Sequence, residues 1–144
     1  MKNLNKLLFL VLLLLSTAVI ISCSKDDDED SIPFTSNMIV AGWEIIESNS
    51  SNSSFKVGGW AEFKNDGSCR GFSSMETSYK IQDGKIHTYY GRTGEPMVVY
   101  TLISQGKTAK GANTLKVRVD GTLDDHSSCT ITMEKYDMPA SSSN

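Results

Sequence analysis

Apolar and polar residues alternate one by one along much of the chain. The clearest example is Leu115–Asp120, in which Leu, Val and Val occupy one parity and Lys, Arg and Asp the other. Side chains alternate between the two faces of a β-strand, whereas a helix repeats every 3.6 residues, so this period predicts half-buried strands. Asp-Gly pairs at 66–67, 83–84 and 120–121 follow such segments, and Asp-Gly suits tight hairpins because it tolerates positive φ. The pattern predicts about eight short antiparallel strands and no long helix.

Strands joined by short hairpins form a meander, and closing a meander into a barrel removes its exposed edges. We therefore predict an all-β domain, a small antiparallel up-and-down β-barrel, over residues 37–137, with a disordered tail at 138–144. Eight strands enclose just enough room for side chains or one small ligand. Most predicted inward residues are large, which favours a filled interior with space only near Gly59, Ala61 and Gly71. The predicted inward residues are Trp43, Ile45, Phe55, Val57, Phe63, Tyr79, Ile81, Val99, Leu115, Val117, Val119, Ile131 and Met133.

The first 22 residues have the three parts of a secretory signal peptide. Lys2 and Lys6 give a positive start, residues 7–21 form an apolar run, and the small Ser22 precedes the expected cleavage point. A helix that crosses a membrane needs ~20 apolar residues, so a cleaved signal is favoured over an uncleaved anchor.

The segment Ile20-Ile21-Ser22-Cys23 resembles the lipobox of bacterial lipoproteins, although Ile20 stands where Leu is commoner. The resemblance implies that Cys23 forms a thioether to diacylglycerol and becomes the first residue of the mature protein. Acyl chains hold a protein at a membrane because each buried CH₂ contributes ~0.8 kcal/mol. The membrane is therefore the first expected partner, reached through the lipid anchor.

The residues after Cys23 read Ser-Lys-Asp-Asp-Asp-Glu-Asp. A run with this charge cannot be buried, and we predict an acidic tether over residues 23–36. Lys25, Asp26 and Asp27 resemble the export signal of Bacteroidota lipoproteins, which implies an outer-membrane protein at the cell surface. The alternative is a plain spacer with the protein at the periplasmic face. Asp30-Ser31-Ile32 resembles the O-glycosylation site of the same phylum, with Ser31 as the acceptor.

The charge of the chain argues against a nucleic-acid partner. The full sequence has 14 basic and 17 acidic residues, a net −3. Without the two leader lysines the balance is 12 against 17, and residues 25–30 alone hold one Lys and five acids. The remaining body has 11 basic against 12 acidic residues, so it lacks the excess of Lys and Arg that nucleic acid requires.

Two cysteines remain once Cys23 carries lipid, and an even number in an exported protein makes a Cys69–Cys129 disulfide plausible. Cys129 shares its parity with Ile131 and Met133, so its sulfur is expected to point inward. A bridge requires the two Cα atoms to lie within ~7 Å of each other.

Four segments, in order, resemble the lipocalin-like domains of Bacteroidota lipoproteins. They are Gly42-Trp43, Phe63–Ser68, Tyr79–Ile86 and Leu115–Val117, and the likeness covers roughly residues 38–136. The resemblance implies a small barrel whose ends are available for ligands or partners. It also implies that Trp43 packs across the closed end, as a plug of the core.

Few residues of the sequence are candidates for catalysis or for binding a ligand or metal. No Gly-x-Ser-x-Gly elbow and no paired acid and base with recognisable spacing occur, so we predict neither catalysis nor a cofactor. Asp124, Asp125 and His126 are interpreted as a solvated turn rather than a metal site. Trp60 is an aromatic on the polar parity, and Tyr79 and Tyr90 offer hydroxyls, which makes these three the candidate ligand-binding residues.

The leading hypothesis is a surface-tethered module that binds a small apolar molecule or a glycan. The alternative is a non-enzymatic structural or interaction subunit of an envelope complex. An enzyme, such as a hydrolase, ranks third because no nucleophile or acid–base pair supports it.

Cys23→Ala should abolish lipidation, because the thioether to diacylglycerol cannot form without the thiol. In cells fed radiolabelled palmitate, we expect label in the wild type and in the control Cys69→Ala, and none in Cys23→Ala. Incorporation of label into Cys23→Ala would show that the lipid is attached elsewhere or not through this motif.

Overall fold

The computed structural model describes residues 31–91, 94–121 and 127–136. Within these ranges the chain forms one short helix, one 3₁₀ turn at Ser53–Phe55 and eight strands. The helix α1 spans Ser36–Ile39, and the strands are β1 Ala41–Ser48, β2 Trp60–Phe63, β3 Cys69–Arg70, β4 Ser78–Gln82, β5 Lys85–Tyr89, β6 Val98–Lys107, β7 Asn113–Gly121 and β8 Ser128–Tyr136.

All eight strands belong to one antiparallel sheet in the order β3-β2-β1-β8-β7-β6-β5-β4. Strands that follow one another in the chain are paired, except for β3 and β4, and the pairing of β1 with β8 joins the two halves of the meander. The outermost strands, β3 and β4, are linked by a bridge between Ser68 and Ser78 and by the bond from Cys69 N to Thr77 O. The sheet is therefore a nearly closed barrel, and the predicted fold class is confirmed.

The barrel has two ends of different construction. Because the strands run alternately up and down, the connections β1–β2, β3–β4, β5–β6 and β7–β8 lie at one end, which we call the mouth. The other three connections lie at the opposite end together with residues 31–40, and we call this the N-terminal end.

Trp43 closes the N-terminal end as predicted. Its side chain is 2% exposed, and its Nε1 donates a hydrogen bond to the carbonyl of Ile39 in α1, at 2.8 Å. A buried indole usually needs such a partner. Most of the predicted inward residues are buried above it, namely Ile45, Phe55, Phe63, Tyr79, Leu115, Val117, Val119, Ile131 and Met133.

Three of the predicted inward residues are placed differently. Val57 is 64% exposed, because β2 begins only at Trp60 and is preceded by a turn at Gly58, whose φ is +85°. Val99 and Ile81 are only half-buried. In β6 it is Val98, Tyr100 and Leu102 that are buried, since an unbroken apolar run carries no parity signal.

The boundary predicted between tether and barrel is also wrong. Ile32 forms a bridge with Leu102, and Phe34 is buried and donates its N–H to the carbonyl of Gly84. These apolar residues cover the core beside the β4–β5 turn, so the folded body includes residues that were assigned to the tether over 23–36. Ser31 precedes them and is exposed.

Other predictions lie outside the described residues. They concern the signal peptide, Cys23, the export motif Lys25-Asp26-Asp27 and the tail at 138–144, and they stay predictions. In the part of the chain that the structure describes, no helix is long and apolar enough to cross a membrane.

The Cys69–Cys129 disulfide is not formed, and both cysteines are free thiols. Cys69 lies on β3 opposite Phe63, and Cys129 lies on β8 opposite Val119. Strands β2 and β1 stand between β3 and β8. Three strand spacings amount to ~14 Å along the sheet, well beyond the ~7 Å that a disulfide tolerates between Cα atoms.

Candidate functional site at the mouth

A pocket of about 140 Å³ opens at the mouth of the barrel. All four mouth connections or the strand ends beside them contribute to it, which makes it the place where the loops of this end converge. Its lining residues are Asn52, Ser54, Phe55, Ser73, Met97, Val98, Val119, Gly121, Ser127 and Cys129.

The 3₁₀ turn in the β1–β2 connection positions one wall of this pocket. The side chain of Asn52 accepts a hydrogen bond from Ser54 N at 2.9 Å, which caps the turn, and Ser48 Oγ donates to the carbonyl of Phe55. Asn and Ser favour such local bonds to the backbone. The turn directs the Phe55 ring toward the barrel interior, where it is 8% exposed.

Aromatic rings form the floor below the pocket. The Phe55 ring packs edge-on against Tyr100, with 6.4 Å between centroids, and against Phe72, with 6.2 Å. Phe63 also packs edge-on against Tyr100, with 6.4 Å between centroids. Such edge-to-face pairs add to the stabilisation that buried area supplies, so the floor is firmly packed.

A carboxyl group lies inside this apolar environment. Glu76, in the β3–β4 connection, is 1% exposed. Its Oε2 lies 2.7 Å from the Tyr100 hydroxyl, which is itself buried, and its Oε1 accepts a hydrogen bond from Ser73 N at 2.9 Å. The side chain of Thr88 is also hydrogen-bonded to it. Each oxygen therefore has a polar partner, as a buried carboxyl requires.

Burial raises the pKa of the Glu76 carboxyl, and its hydrogen bonds to Tyr100, Ser73 and Thr88 only partly offset that effect. Within the described residues, no basic side chain is among the groups that shift it. The neighbouring titratable groups are acids as well. Burial and the nearby Glu76 raise the pKa of the Cys69 thiol from 9.0 to about 12 and that of Tyr100 well above its usual value. Burial thus shifts Glu76 toward its neutral form relative to an exposed glutamate.

Gly71 permits the chain to insert Glu76. A Cβ built on Gly71 would lie 2.4 Å from the Cβ of Glu76, which is closer than real atoms approach. The two residues are also joined by a bond from Gly71 N to Glu76 O at 3.1 Å. Only glycine fits where backbone and side chain come this close.

The cavity predicted near Gly59, Ala61 and Gly71 is therefore not there. The Glu76 side chain fills the space beside Gly71, Ala61 is fully buried, and a Cβ on Gly59 would lie 3.0 Å from the Lys56 carbonyl. Sequence parity marked these small residues as gaps, but it could not show that a side chain from a distant loop occupies one of them.

The three candidate ligand-binding residues are not brought together. The buried Tyr79 donates its hydroxyl to the carbonyl of Lys64 at the N-terminal end, at 2.8 Å, whereas Tyr90 lies at the mouth and is 69% exposed. Trp60 lies on the outer wall, where the Arg70 guanidinium stands 4.9 Å from its ring centroid. None of the three lines the mouth pocket.

Glu76 was missed at the sequence level. Glu76 lies between Met75 and Thr77 in a connection rich in serine, and this composition is typical of a solvated loop. The one available signal was Gly71, already noted as a small residue of the predicted barrel, because glycine in a sheet often marks a close approach of another chain segment.

Two further pockets lack this combination of features. One, of about 450 Å³, is an open groove on the outer wall beside Glu47, Ile103 and Lys116. The other, of about 230 Å³, lies next to Met38 and Trp43 at the N-terminal end. Among the described residues, no group of three or more His, Cys, Asp or Glu side chains is placed to hold a metal ion. Asp124, Asp125 and His126 lie outside those residues.

Comparisons with known proteins found no matching family model, no significantly similar curated protein and no significantly similar solved structure. The resemblance to lipocalin-like lipoproteins stays a prediction, whereas the barrel itself is seen directly in the strand order.

Gly71→Ala should destabilise the protein by about 1–3 kcal/mol, the usual cost of forcing an extra methyl group into a packed site. Gly121→Ala is the matched control, since its Cβ would meet nothing closer than 3.7 Å. Urea denaturation of the two variants measures the difference. Equal unfolding free energies would show that Glu76 does not pack against Gly71.

Proposed function

We propose that the protein is a lipid-anchored binding module of the outer membrane that holds a small uncharged ligand, such as the terminal ring of a glycan, at the mouth of its barrel. The observation that carries this proposal is the pocket at the end opposite the N-terminal segment. A glycan is favoured over a wholly apolar molecule by the chemistry of that pocket.

The position of the N-terminal segment supports an orientation in which the mouth faces away from the membrane. Residues 31–40 lie at the N-terminal end, where Phe34 and α1 cover the core. A lipid on Cys23 would hold this end toward the membrane through the acidic tether. The mouth would then face away from the bilayer, accessible to molecules outside the cell.

The lining of the pocket supports an uncharged polar ligand. Asn52, Ser54, Ser73 and Ser127 supply amide and hydroxyl groups, and none of the described lining residues is charged. Phe55 supplies an aromatic surface. Hydroxyl and amide groups beside an aromatic ring suit a sugar, whose edge is polar and whose ring face is apolar.

The size of the pocket limits what enters it. At about 140 Å³, it is smaller than the ~300–1,000 Å³ of sites that enclose a drug-sized molecule. The interior below is filled by Tyr100, Phe63 and Glu76. We therefore expect one ring or chain end to be bound, with the remainder of the ligand in solvent.

Ser54→Trp should block binding because the indole fills the pocket. Ser51→Trp is the matched control, since Ser51 is exposed in the same connection and does not line the pocket. Full-length protein in detergent micelles is titrated with neutral oligosaccharides and, separately, with a medium-chain alcohol, and binding is followed by NMR shifts at the mouth.

We expect saccharide binding in the wild type and in Ser51→Trp, and a loss of at least tenfold in Ser54→Trp. If the alcohol binds and no saccharide does, the ligand is a small apolar molecule and not a glycan. If the ligand causes the same NMR shifts in Ser54→Trp as in the wild type, the pocket is not the binding site.

One observation favours the second candidate, an interaction subunit of an envelope complex. Val57, Met75 and Tyr90 are at least half-exposed and lie on three different mouth connections. Exposed apolar side chains clustered at one end are typical of protein-binding surfaces. Tyr90→Ser combined with Met75→Ser would weaken such a complex while leaving the pocket and its ligand intact.

A further inference from the structure

We infer that residues 71–77 form a lid over the barrel interior, that the neutral Glu76 carboxyl latches this lid to Tyr100, and that ionisation of Glu76 releases it. The inference deepens the proposed function and rests on it in one respect: Ser73, in the same lid, lines the mouth pocket. Release of the lid would therefore change the ligand site.

The attachments of the lid show why Glu76 acts as the latch. At Thr77, the lid is tied to strands by the bonds from Cys69 N to Thr77 O and from Thr77 N to Tyr89 O, and at Gly71 it continues directly from β3. The bonds from Gly71 N to Glu76 O and from Glu76 N to Ser73 O lie within the lid itself. Between the ends, the Glu76 carboxyl and the Phe72 ring contact the barrel, while Met75 is half-exposed.

Among the described residues, no cation faces Glu76, and the hydrogen bonds from Tyr100, Ser73 and Thr88 stabilise its charged form only in part. Strand β3 presents the Cys69 thiol, β5 the Thr88 hydroxyl and β6 the Tyr100 hydroxyl. The 3₁₀ turn contributes the apolar Phe55 ring, which packs against Tyr100. An ionised carboxylate in this place would be buried beside groups that are themselves weak acids, so it is stabilised by moving out into water.

Lifting the lid would extend the mouth pocket inward. The hydroxyls of Tyr100 and Thr88 would be uncovered, together with the Phe55 and Phe63 rings that pack against Tyr100. The closed site takes an uncharged ring end at the surface. The open site would be a deeper aromatic chamber with two hydroxyls, suited to an apolar ligand that carries one hydrogen-bonding group.

The direction of the pH dependence follows from the two states of the carboxyl. Glu76 has a raised pKa when the lid is closed and an ordinary one, ~4.3, when it is open. The latch is fully effective below the ordinary pKa. Above it, the equilibrium constant for opening rises about tenfold per pH unit, until the pH passes the raised pKa and the increase stops.

Hydrogen exchange of the full-length lipidated protein, measured by mass spectrometry from pH 4 to pH 9, tests the latch without any ligand. Protection is expressed relative to the intrinsic exchange rate at each pH. In the wild type, protection of peptides covering 71–77 should fall about tenfold per pH unit over part of this range. In Glu76→Gln, which keeps the size of the side chain and one acceptor oxygen but cannot ionise, it should be constant.

Glu44→Gln is the matched control, because Glu44 is exposed on β1, and it should behave as the wild type does. Peptides covering 115–119 in β7 should keep constant protection, which separates lid opening from global unfolding. The same pH dependence in Glu76→Gln, or none in the wild type, would overturn the latch.

Anilinonaphthalene sulfonate, a fluorescent probe of exposed apolar surfaces, tests whether the aromatic chamber opens. Its emission should rise with pH in the wild type in step with the loss of protection, and stay low in Glu76→Gln. Emission that does not follow exchange would overturn the chamber. Loss of saccharide binding with the latch intact contradicts only the proposed function, and a flat exchange profile with saccharide binding intact contradicts only the latch.

Discussion

The hydrogen bond between the Tyr100 hydroxyl and the Glu76 carboxyl, 2.7 Å long and wholly buried, organises the mouth of this barrel. A carboxyl group leaves water only if its oxygens are bonded and its charge is compensated or absent. Here the bonds come from one strand hydroxyl on each of β5 and β6 and from the lid backbone at Ser73. The requirement draws residues 71–77 across the opening, and only Gly71 allows them to come so close.

The two ends of the barrel meet different physical demands. At the N-terminal end, Trp43 is held by the carbonyl of Ile39, and Phe34 is buried beside the β4–β5 turn, so apolar side chains cover the core at that end. At the mouth, closure depends on a titratable group and on a short lid with an exposed Met75. A barrel built in this way keeps its core when the mouth changes, which suits a module that binds at one end and is held at the other.

Much of the fold follows from the sequence pattern, and the exceptions have physical causes. The alternation over Leu115–Val119 identified β7 and its inward face because one side of the strand is polar. It failed in β6, where both parities are apolar, and so placed Val99 inside instead of Tyr100. The site could not be predicted in this way. Glu76 is held in the interior by contacts with residues 12 and 24 positions away, and no local sequence pattern encodes such contacts.

The ionisation state of Glu76 tests the account most directly. Carbon-13 labelling of glutamate carboxyl groups allows each one to be titrated by NMR, and the Glu76 resonance is assigned by its absence from the Glu76→Gln spectrum. The account predicts a pKa clearly above the ordinary ~4.3 of an exposed glutamate. A Glu76 carboxyl that titrates at or below that ordinary value would mean that it is solvated or paired with a cation, and the latch at the mouth would not exist.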